Sequence, residues 1–299
     1  MTDITILTDR RYYKPEQITP YTRNILDEAS LLKEALEARG LKVARTFWDN
    51  PDYDWTTTRA VVFRTVWDYF ERIDEFRDWL KRVNQLTLLI NPLSLIQWNI
   101  DKHYLADLEQ RGIAIVPTHF VDAVERLSLQ EIVQLNGWKD IVIKPAVSGA
   151  AFHTYLLREA EVPNWEGRFT KLVGERKMLV QQYLPTITSR GEASLMVFNG
   201  TYTHAVLKKA KKGDFRVQDD FGGSVHEYLP TAEEIRFAEA VFASCEPVPA
   251  YGRADIVWDE RGNFLLSELE IIEPELWVRN HPAAAAPFAD GIVRFLDGG

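Results

Sequence analysis

The first ninety or so residues alternate short apolar runs with longer stretches of helical periodicity. Ile4 to Leu7 is an apolar run after a polar start, and apolar residues recur at helical spacing from Thr22 to Arg39 until Gly40 ends the pattern. Three further strands and one helix are predicted: strands at Val43 to Phe47, Ala60 to Phe63 and Thr87 to Ile90, and a helix at Glu71 to Val83. Strands that alternate with helices predict an α/β lobe.

Beyond Asn91 and Pro92 the pattern predicts one helix and then many strands. The helix spans about Leu95 to Gln110 and stops at Gly112. Seven strands and two helices follow: strands at Asp140 to Lys144, Thr154 to Leu157, Met178 to Leu184, Ala193 to Phe198, Thr201 to Lys208, Arg253 to Trp258 and Phe264 to Leu269, with helices at Asn164 to Val173 and after Thr231, which forms a capping box with Glu234. The chain is therefore predicted to form three α/β or α+β lobes, residues 1–95, 96–185 and 186–299.

Composition narrows the class of protein. The 35 basic and 44 acidic residues give a net charge of −9, which disfavours nucleic acid as a partner but allows a local basic pocket. No apolar stretch approaches the roughly 20 residues of a membrane span, and the opening residues do not resemble a secretory signal. The single cysteine, Cys245, excludes an internal disulfide and a thiolate zinc cluster. We expect a cytoplasmic globular protein that binds no membrane.

Three carboxylates near the carboxyl end suggest a metal site. Glu268 and Glu270 are two residues apart on a predicted strand, so they point to the same face. If the turn at Asp259 to Asn263 pairs this strand with the preceding one, Asp255 can lie opposite that face. Three converging carboxylates favour a hard cation such as Mg²⁺. Taken alone, the pattern also fits the solvated face of a hairpin, because surface carboxylates are common.

Two lysines suggest an anionic ligand. Lys144 follows Ile141, Val142 and Ile143 at the end of a strand that should be buried, and a buried ammonium needs an anionic partner such as a phosphate. Lys102 could simply be a surface residue of an amphipathic helix. The common phosphate-binding glycine motifs are absent. The small residues 146–151 after Lys144 could bring backbone N–H groups close to phosphate, or could be a plain turn.

In order and spacing, these features resemble the motifs of the ATP-grasp superfamily, which includes glutathione synthetase and D-alanine:D-alanine ligase. The resemblance covers about residues 95–280 and rests on Lys102, VIKP with Lys144, the small-residue loop, LVQQYLP, GRAD and SELE. It implies a three-lobed ATP-grasp fold with the nucleotide between the central and C-terminal lobes. It also implies ATP as co-substrate, two Mg²⁺ ions, a small-molecule amino acid substrate and, often, a homo-oligomer.

The same resemblance implies roles for individual residues. Phosphate contacts fall on Lys102, Lys144, Ser148, Gly149 and Ala150, adenine contacts on Gln181, Gln182 and the backbone near Leu184, and the ribose contact on Glu192. Arg216 would face the γ-phosphate, Arg253 would stabilise charge at the reacting carbonyl, and Mg²⁺ would bind Asp255, Glu268 and Glu270. The last ligand is commonly asparagine in the superfamily and is glutamate here. Lys208, Lys209, Lys211 and Lys212 are interpreted mostly as surface charge.

The first lobe and the last motif resemble a narrower group, the O-ureido-D-serine cyclo-ligases of the D-cycloserine pathway. The similarity lies in ILTDRRYY, FRTVWDY and ELEIIEPELW. It implies a substrate pocket in the first lobe, with Arg64, Asp68 and Tyr69 as candidates and Asp9 and Arg10 as weaker ones, although Trp67 and Tyr69 could equally be core aromatics. Two alternatives stay open: a ligase that uses an external amine, and a non-catalytic nucleotide-binding protein.

Overall fold

The computed structural model describes residues 1–122, 127–149, 151–217 and 222–298. Ala150, one of the predicted phosphate contacts, lies outside the described residues. Within them, no helix is both long enough and apolar enough to cross a membrane.

The first lobe is a parallel sheet covered by helices, as the alternating pattern predicts. Its strands run in the order β2-β1-β3-β4, with β1 at Thr2–Thr8, β2 at Val43–Phe47, β3 at Thr58–Thr65 and β4 at Leu88–Ile90. The helices are α1 at Arg10–Tyr13, α2 at Pro20–Glu37 and α3 at Ile73–Val83. Thr19 caps α2, and Pro20 occupies its first turn, where a missing N–H costs nothing.

The predicted helix from Leu95 to Gln110 is instead two helices, α4 at Leu93–Ile100 and α5 at Tyr104–Gln110. Asp101 between them is extended, and its carboxylate accepts the backbone N–H of His103 at 3.0 Å, so it caps the second helix rather than continuing the first. Lys102 lies in this break, and its backbone N–H donates to the carbonyl of Ala146 at 2.8 Å. The break therefore fixes Lys102 beside the small-residue loop, and the surface interpretation of this lysine is wrong.

The second lobe is a small antiparallel sheet in the order β5-β8-β6-β7. Its elements are β5 at Thr118–Val121, α6 at Leu129–Asn136, β6 at Ile141–Pro145, β7 at Tyr155–Leu157, α7 at Val162–Glu175 and β8 at Met178–Gln182. Both β5 and α6 were absent from the sequence-based prediction. The capping box of Ser128 with Glu131, and Gly137 in the left-handed region at the carboxyl end, are signals that could have located α6.

The third lobe is a five-stranded antiparallel sheet in the order β11-β10-β9-β12-β13. Its elements are α8 at Thr186–Ser189, β9 at Glu192–Phe198, β10 at Thr201–Lys209, β11 at Ser224–Glu227, α9 at Ala232–Ala243, β12 at Tyr251–Trp258, β13 at Phe264–Glu270 and α10 at Ala285–Gly298. The capping box of Thr231 with Glu234 opens α9, as predicted. The terminal helix α10 packs back against α2 of the first lobe.

Each sheet lies inside one of the three predicted segments, but the hydrophobic cores cross those boundaries. Leu105 and Leu108 of α5 share a buried cluster with Ala254 and Leu269 of the third sheet. Helix α5 therefore packs on the third lobe, whereas Ile96 and Ile100 of α4 belong to the core of the first lobe. This packing places Lys102 at the junction of the two sheets.

Candidate active site

A cavity of about 200 Å³ lies between the second and third sheets, with Tyr69 of the first lobe at one side. It collects most of the predicted site residues from seven separate stretches of the chain: Tyr69, Lys102, Lys144, Ser148, Gly149, Gln181, Gln182, Leu184, Glu192, Arg216, Arg253, Asp255, Glu268 and Glu270. Long-range strand pairing therefore assembles at one place the residues that the sequence singled out.

The acidic corner of the cavity is built by the hairpin of β12 and β13. The register pairs Asp255 with Glu268 and Arg253 with Glu270. One carboxylate oxygen from each of Asp255, Glu268 and Glu270 lies within 4.8 Å of the other two. The predicted convergence of these side chains is thus present, and an all-oxygen donor set suits Mg²⁺.

Arg253 neutralises much of this negative charge. Its guanidinium donates to both carboxylate oxygens of Asp255 at 2.8 Å and to Glu270 at 2.6 Å. Burial disfavours the ionised form of Asp255, but Arg253 and Lys208 outweigh burial and hold the pKa of Asp255 below its ordinary value. Asp255 is therefore an anion, and Arg253 is held rigidly beside it.

Lys102 and Lys144 differ in their partners although both face the cavity. The Lys102 ammonium lies 2.7 Å from Glu268 and donates to the carbonyl of Ser148 at 2.8 Å. Among the residues that the structure describes, no carboxylate lies within 4.0 Å of the Lys144 ammonium. Burial lowers the pKa of Lys144, whereas Glu268 raises that of Lys102 despite burial. Lys144 is therefore the cation best prepared to receive an external anion.

Lys208 is not a surface residue, contrary to the interpretation made from its lysine-rich surroundings. It is only 4% exposed, and its ammonium contacts Glu192 and lies 3.2 Å from Asp255. The register of β9 and β10 places Lys208 opposite Glu192. Lys209, Lys211 and Lys212 are exposed, as predicted. Alternation along β10, where Lys208 shares a face with buried Val206, is the signal that could have distinguished it.

The end of β8 supplies a polar edge to the cavity. The Gln181 amide donates to the Thr118 hydroxyl at 2.8 Å, and the backbone N–H of Gln182 donates to the carbonyl of Pro117 at 3.0 Å. Glu192 also accepts from Ser267 at 3.0 Å. Arg216 lines the cavity from a loop, and its guanidinium is paired with Asp214 at 2.7 Å.

Comparison with known proteins adds sequence relatives. Residues 4–91 match the family described as the N-terminal domain of the D-cycloserine synthetase DcsG. The cycloserine biosynthesis protein DcsG of Streptomyces lavendulae is 28% identical over 286 residues, which cover 89% of this chain and 92% of that protein.

Solved structures share the fold over nearly the whole chain. The crystal structure of D-cycloserine synthetase DcsG matches with a TM-score of 0.86 at 24% identity, covering 98% of this chain and 99% of that one. The ATP-grasp ligase PsnB, complexed with a phosphomimetic variant of its minimal precursor, Mg and ADP, matches with a TM-score of 0.64 at 14% identity over 99% of both chains. D-alanine–D-alanine ligase from Bacillus anthracis gives 0.63 at 14% identity, covering 99% of this chain and 97% of that one.

This chain has the ATP-grasp fold. The predicted fold is thereby confirmed, and the chain resembles DcsG in both sequence and structure. The fold and these relatives together support an ATP-dependent ligase.

Of the predicted substrate residues, the structure brings only Tyr69 to the ATP-grasp cavity. Tyr69 also belongs to the aromatic core of the first lobe, so both interpretations of it apply. Arg64 lies outside the cavity, where its buried guanidinium donates to Glu28 at 3.1 Å and to the carbonyl of Pro274 at 2.7 Å. Asp68 also lies outside, because its carboxylate accepts from Trp48 at 2.8 Å and from Arg72 at 3.1 Å.

The weaker candidates Asp9 and Arg10 do not line the cavity either. Asp9 is fully buried and paired with Arg11 at 2.8 Å, and Arg10 is largely exposed. Periodicity predicts only the face on which a side chain lies. It therefore could not predict these polar contacts of the first lobe.

Glu273 is a cavity residue that sequence reasoning did not single out. It lies three residues after Glu270, beyond the end of β13, so strand alternation does not place it. Burial raises the pKa of Glu273 to about 8, and the neighbouring Glu270 carboxylate adds to the increase. Burial likewise raises the pKa of Glu270 to about 7. Burial and the neighbouring carboxylates therefore both favour the protonated forms of Glu270 and Glu273.

We expect the stability of the Mg²⁺-free protein to fall as pH rises. The pKa values of Glu270 and Glu273 are raised from 4.5, so the folded chain binds more protons than the unfolded chain between about pH 4.5 and 8. Stability is therefore lost as pH rises through that window, and thermal unfolding at pH 5.5 and 8 should differ by about 5 °C. Glu273→Gln should reduce this difference, whereas Glu260→Gln in the exposed turn should not. A melting temperature that rises from pH 5.5 to 8 would contradict the assignment.

Gly149 has no room for a side chain. A Cβ atom there would lie 2.7 Å from Cε1 and 2.8 Å from Cδ1 of the Phe70 ring, which projects from the first lobe. We expect Gly149→Ala to displace the loop and raise KM for ATP about tenfold, because small misplacements in a site are costly.

The double variant Gly149→Ala with Phe70→Ala removes the clashing ring and should recover part of that loss in a steady-state assay. Gly167→Ala, in a helix with open space around it, is the matched control and should leave KM unchanged. If the double variant were no better than Gly149→Ala alone, contact with Phe70 would not be the cause.

Proposed function

We propose that this protein is an ATP-dependent cyclo-ligase that activates the carboxylate of O-ureido-D-serine as an acyl phosphate and closes the ring to D-cycloserine. The similarity to DcsG in sequence and fold supports the substrate. The observation that carries the chemistry is the half-buried Lys144 without a carboxylate partner among the described residues, beside three converging carboxylates and Arg253. A cation without a carboxylate partner and a set of metal-ligating carboxylates in one cavity suit a nucleoside triphosphate.

ATP lies between the second and third lobes in this proposal. Lys102, Lys144 and the loop at Ser148 and Gly149 contact its phosphates, and Arg216 faces the γ-phosphate. Gln181, Gln182 and the backbone at Leu184 hold adenine, and Glu192 receives the ribose hydroxyls. The support is that all of these residues line one cavity. Glu192 already pairs with Lys208, so a ribose contact would share that carboxylate.

Asp255, Glu268 and Glu270 would hold Mg²⁺, two ions in this proposal, through their converging oxygens. When bound, Mg²⁺ would neutralise charge on the phosphate oxygens. Glu270 in place of the asparagine common in the superfamily keeps an oxygen donor and adds a negative charge, which Arg253 offsets through its 2.6 Å contact.

The chemistry takes two steps. The substrate carboxylate attacks the γ-phosphorus of ATP, and ADP leaves with the electrons of the broken P–O bond; Lys144 and Arg216 lower the repulsion between the two anions. The nitrogen bonded to oxygen in the substrate then attacks the acyl carbonyl, Arg253 stabilises the oxyanion, and phosphate leaves. Water removes the carbamoyl group as CO₂ and ammonia. Ring closure within one molecule gains from proximity.

The proposal places the enzyme in the cytoplasm with a small-molecule amino acid as its partner, and a homo-oligomer stays a prediction. A ligase that uses an external amine shares the same nucleotide and metal residues. A non-catalytic nucleotide-binding protein is disfavoured because Arg253, Asp255, Glu268 and Glu270 are all present and in contact range.

The test is ADP formation with Mg²⁺, ATP and O-ureido-D-serine, with mass spectrometry of the product. The L-isomer and D-alanine serve as substrate controls, and the exposed Asp78→Asn serves as the protein control. We expect one cycloserine per ADP. ADP release only with other amino acids would reject the cyclisation and keep the ligase, whereas no turnover with any carboxylate would favour a non-catalytic protein.

A further inference from the structure

Most charged groups that line the cavity form ion pairs. Within the described residues, the exceptions are one cation, Lys144, and one carboxylate, Glu273. Among the described lining residues, four carboxylates have a cation within 4.0 Å: Glu192 and Asp255 contact Lys208, Glu268 contacts Lys102, and Glu270 contacts Arg253. No such ion pair is formed by Glu273 within the described part of the chain. Lys144 is suited to bind a phosphate, which leaves the Glu273 carboxylate without a cation.

The backbone around Glu273 is held firmly in place. Three successive carbonyl oxygens each accept a hydrogen bond from a side chain: Glu273 from the Trp67 indole at 2.9 Å, Pro274 from Arg64 at 2.7 Å, and Glu275 from Arg253 at 3.2 Å. Two of these donors belong to the first lobe and the third to the active site. Fixed backbone presents a carboxylate at low entropic cost. Arg64 thus serves the site by positioning this segment.

Glu273 lies beside Tyr69, which is within hydrogen-bonding reach of its carboxylate, and near the Glu270 carboxylate. The three carboxylates whose oxygens converge within 4.8 Å are Asp255, Glu268 and Glu270, and Glu273 is not among them. Arg253 bridges the two regions, because it contacts Glu270 with one nitrogen and the carbonyl of Glu275 with another. A ligand whose carboxylate reacts beside Arg253 can therefore direct a neighbouring positive group at Glu273.

We propose that the Glu273 carboxylate binds the protonated α-amino group of the substrate, with Tyr69 lining the same wall, and so selects α-amino acids over carboxylic acids that lack this group. This inference rests on the proposed function and deepens it. The ammonium supplies the missing partner for the half-buried carboxylate, and the α-carbon places it two bonds from the reacting carboxyl carbon. A charge-assisted hydrogen bond of this kind is strong in a desolvated site.

The test compares O-ureido-D-serine with 3-(ureidooxy)propanoate, which lacks only the amino group, in wild-type protein and in Glu273→Gln. We expect wild type to prefer the amino form in kcat/KM for ADP release, and Glu273→Gln to lower that preference about 10- to 100-fold. KM for ATP should stay within about twofold. Glu260→Gln, in the exposed turn of the same acidic hairpin, should leave the preference unchanged.

Two results would overturn the inference. One is an unchanged preference in Glu273→Gln. The other is a higher Mg²⁺ concentration for half-maximal activity with the preference intact, which would make Glu273 a metal ligand instead. If no carboxylate supports ADP release, the proposed function fails; calorimetric binding of the same two compounds in the presence of Mg²⁺ and a non-hydrolysable ATP analogue then measures the preference directly, and equal affinities would reject the inference.

Discussion

Replacing Asp255 by asparagine is expected to lower kcat on the order of 10³-fold, because one substitution removes a proposed metal ligand and a partner of two cations. Arg253 donates to both oxygens of Asp255, and Lys208 lies 3.2 Å from one of them. An asparagine amide would place a donor group against one of these cations. Arg253 would then lose the geometry that holds its guanidinium toward the reacting carbonyl.

The effect on folding should be much smaller than the effect on activity. Arg253 would still pair with Glu270, and Lys208 would still pair with Glu192, so neither buried cation is left without a partner. We expect a loss of about 2 kcal/mol in the free energy of unfolding, measured by denaturant titration. Asp78→Asn, on the exposed face of α3, is the matched control and should change neither quantity. Activity within tenfold of wild type in Asp255→Asn would remove Asp255 from the catalytic site.

Substituting Lys144 by methionine is expected to lower the activity of the protein but to raise its thermal stability. The variant should lose about 10² to 10³ in kcat/KM with ATP, because the substitution removes the charge that we propose faces the phosphates. The empty protein should nevertheless melt about 2 to 4 °C higher, since a half-buried ammonium that has no carboxylate partner among the described residues is replaced by an apolar chain of similar length.

Lys102→Met provides the matched comparison, because it removes a lysine from the same cavity with the opposite consequence for stability. The half-buried Glu268 would lose its 2.7 Å partner, and the carbonyl of Ser148 would lose a donor. We expect the melting temperature to fall by a few degrees, because a carboxylate that is partly shielded from water loses its cation. Differential scanning calorimetry without nucleotide measures both variants. Equal destabilisation by the two substitutions would show that Lys144 has an internal partner after all.

Much of the site follows from local sequence. Alternation puts Glu268 and Glu270 on one face, and the turn from Asp259 brings Asp255 opposite them, because its carboxylate accepts the backbone N–H groups of Arg261 and Asn263. Capping residues likewise set the start of α9, and the apolar run before Lys144 is a strand that ends at the cavity. Each of these signals acts within a few residues, where backbone sterics and hydrogen bonding leave few alternatives.

Other features required the tertiary structure. Lys208 lies in the cavity because β10 pairs with β9 in a register that sets it opposite Glu192. The break at Asp101 places Lys102 in contact with the loop after β6. Glu273 enters the cavity only because Trp67 and Arg64, more than 200 positions earlier, hold its backbone.

The sequence by itself therefore determined most of the strands, the acidic hairpin and the lysine at the end of its strand, since periodicity and turn chemistry are local. Only the tertiary structure decided which charges neutralise each other and which are left for a ligand. Ion pairing depends on distances of a few ångströms between residues far apart in the chain, and those distances are fixed by the packing of one lobe on another.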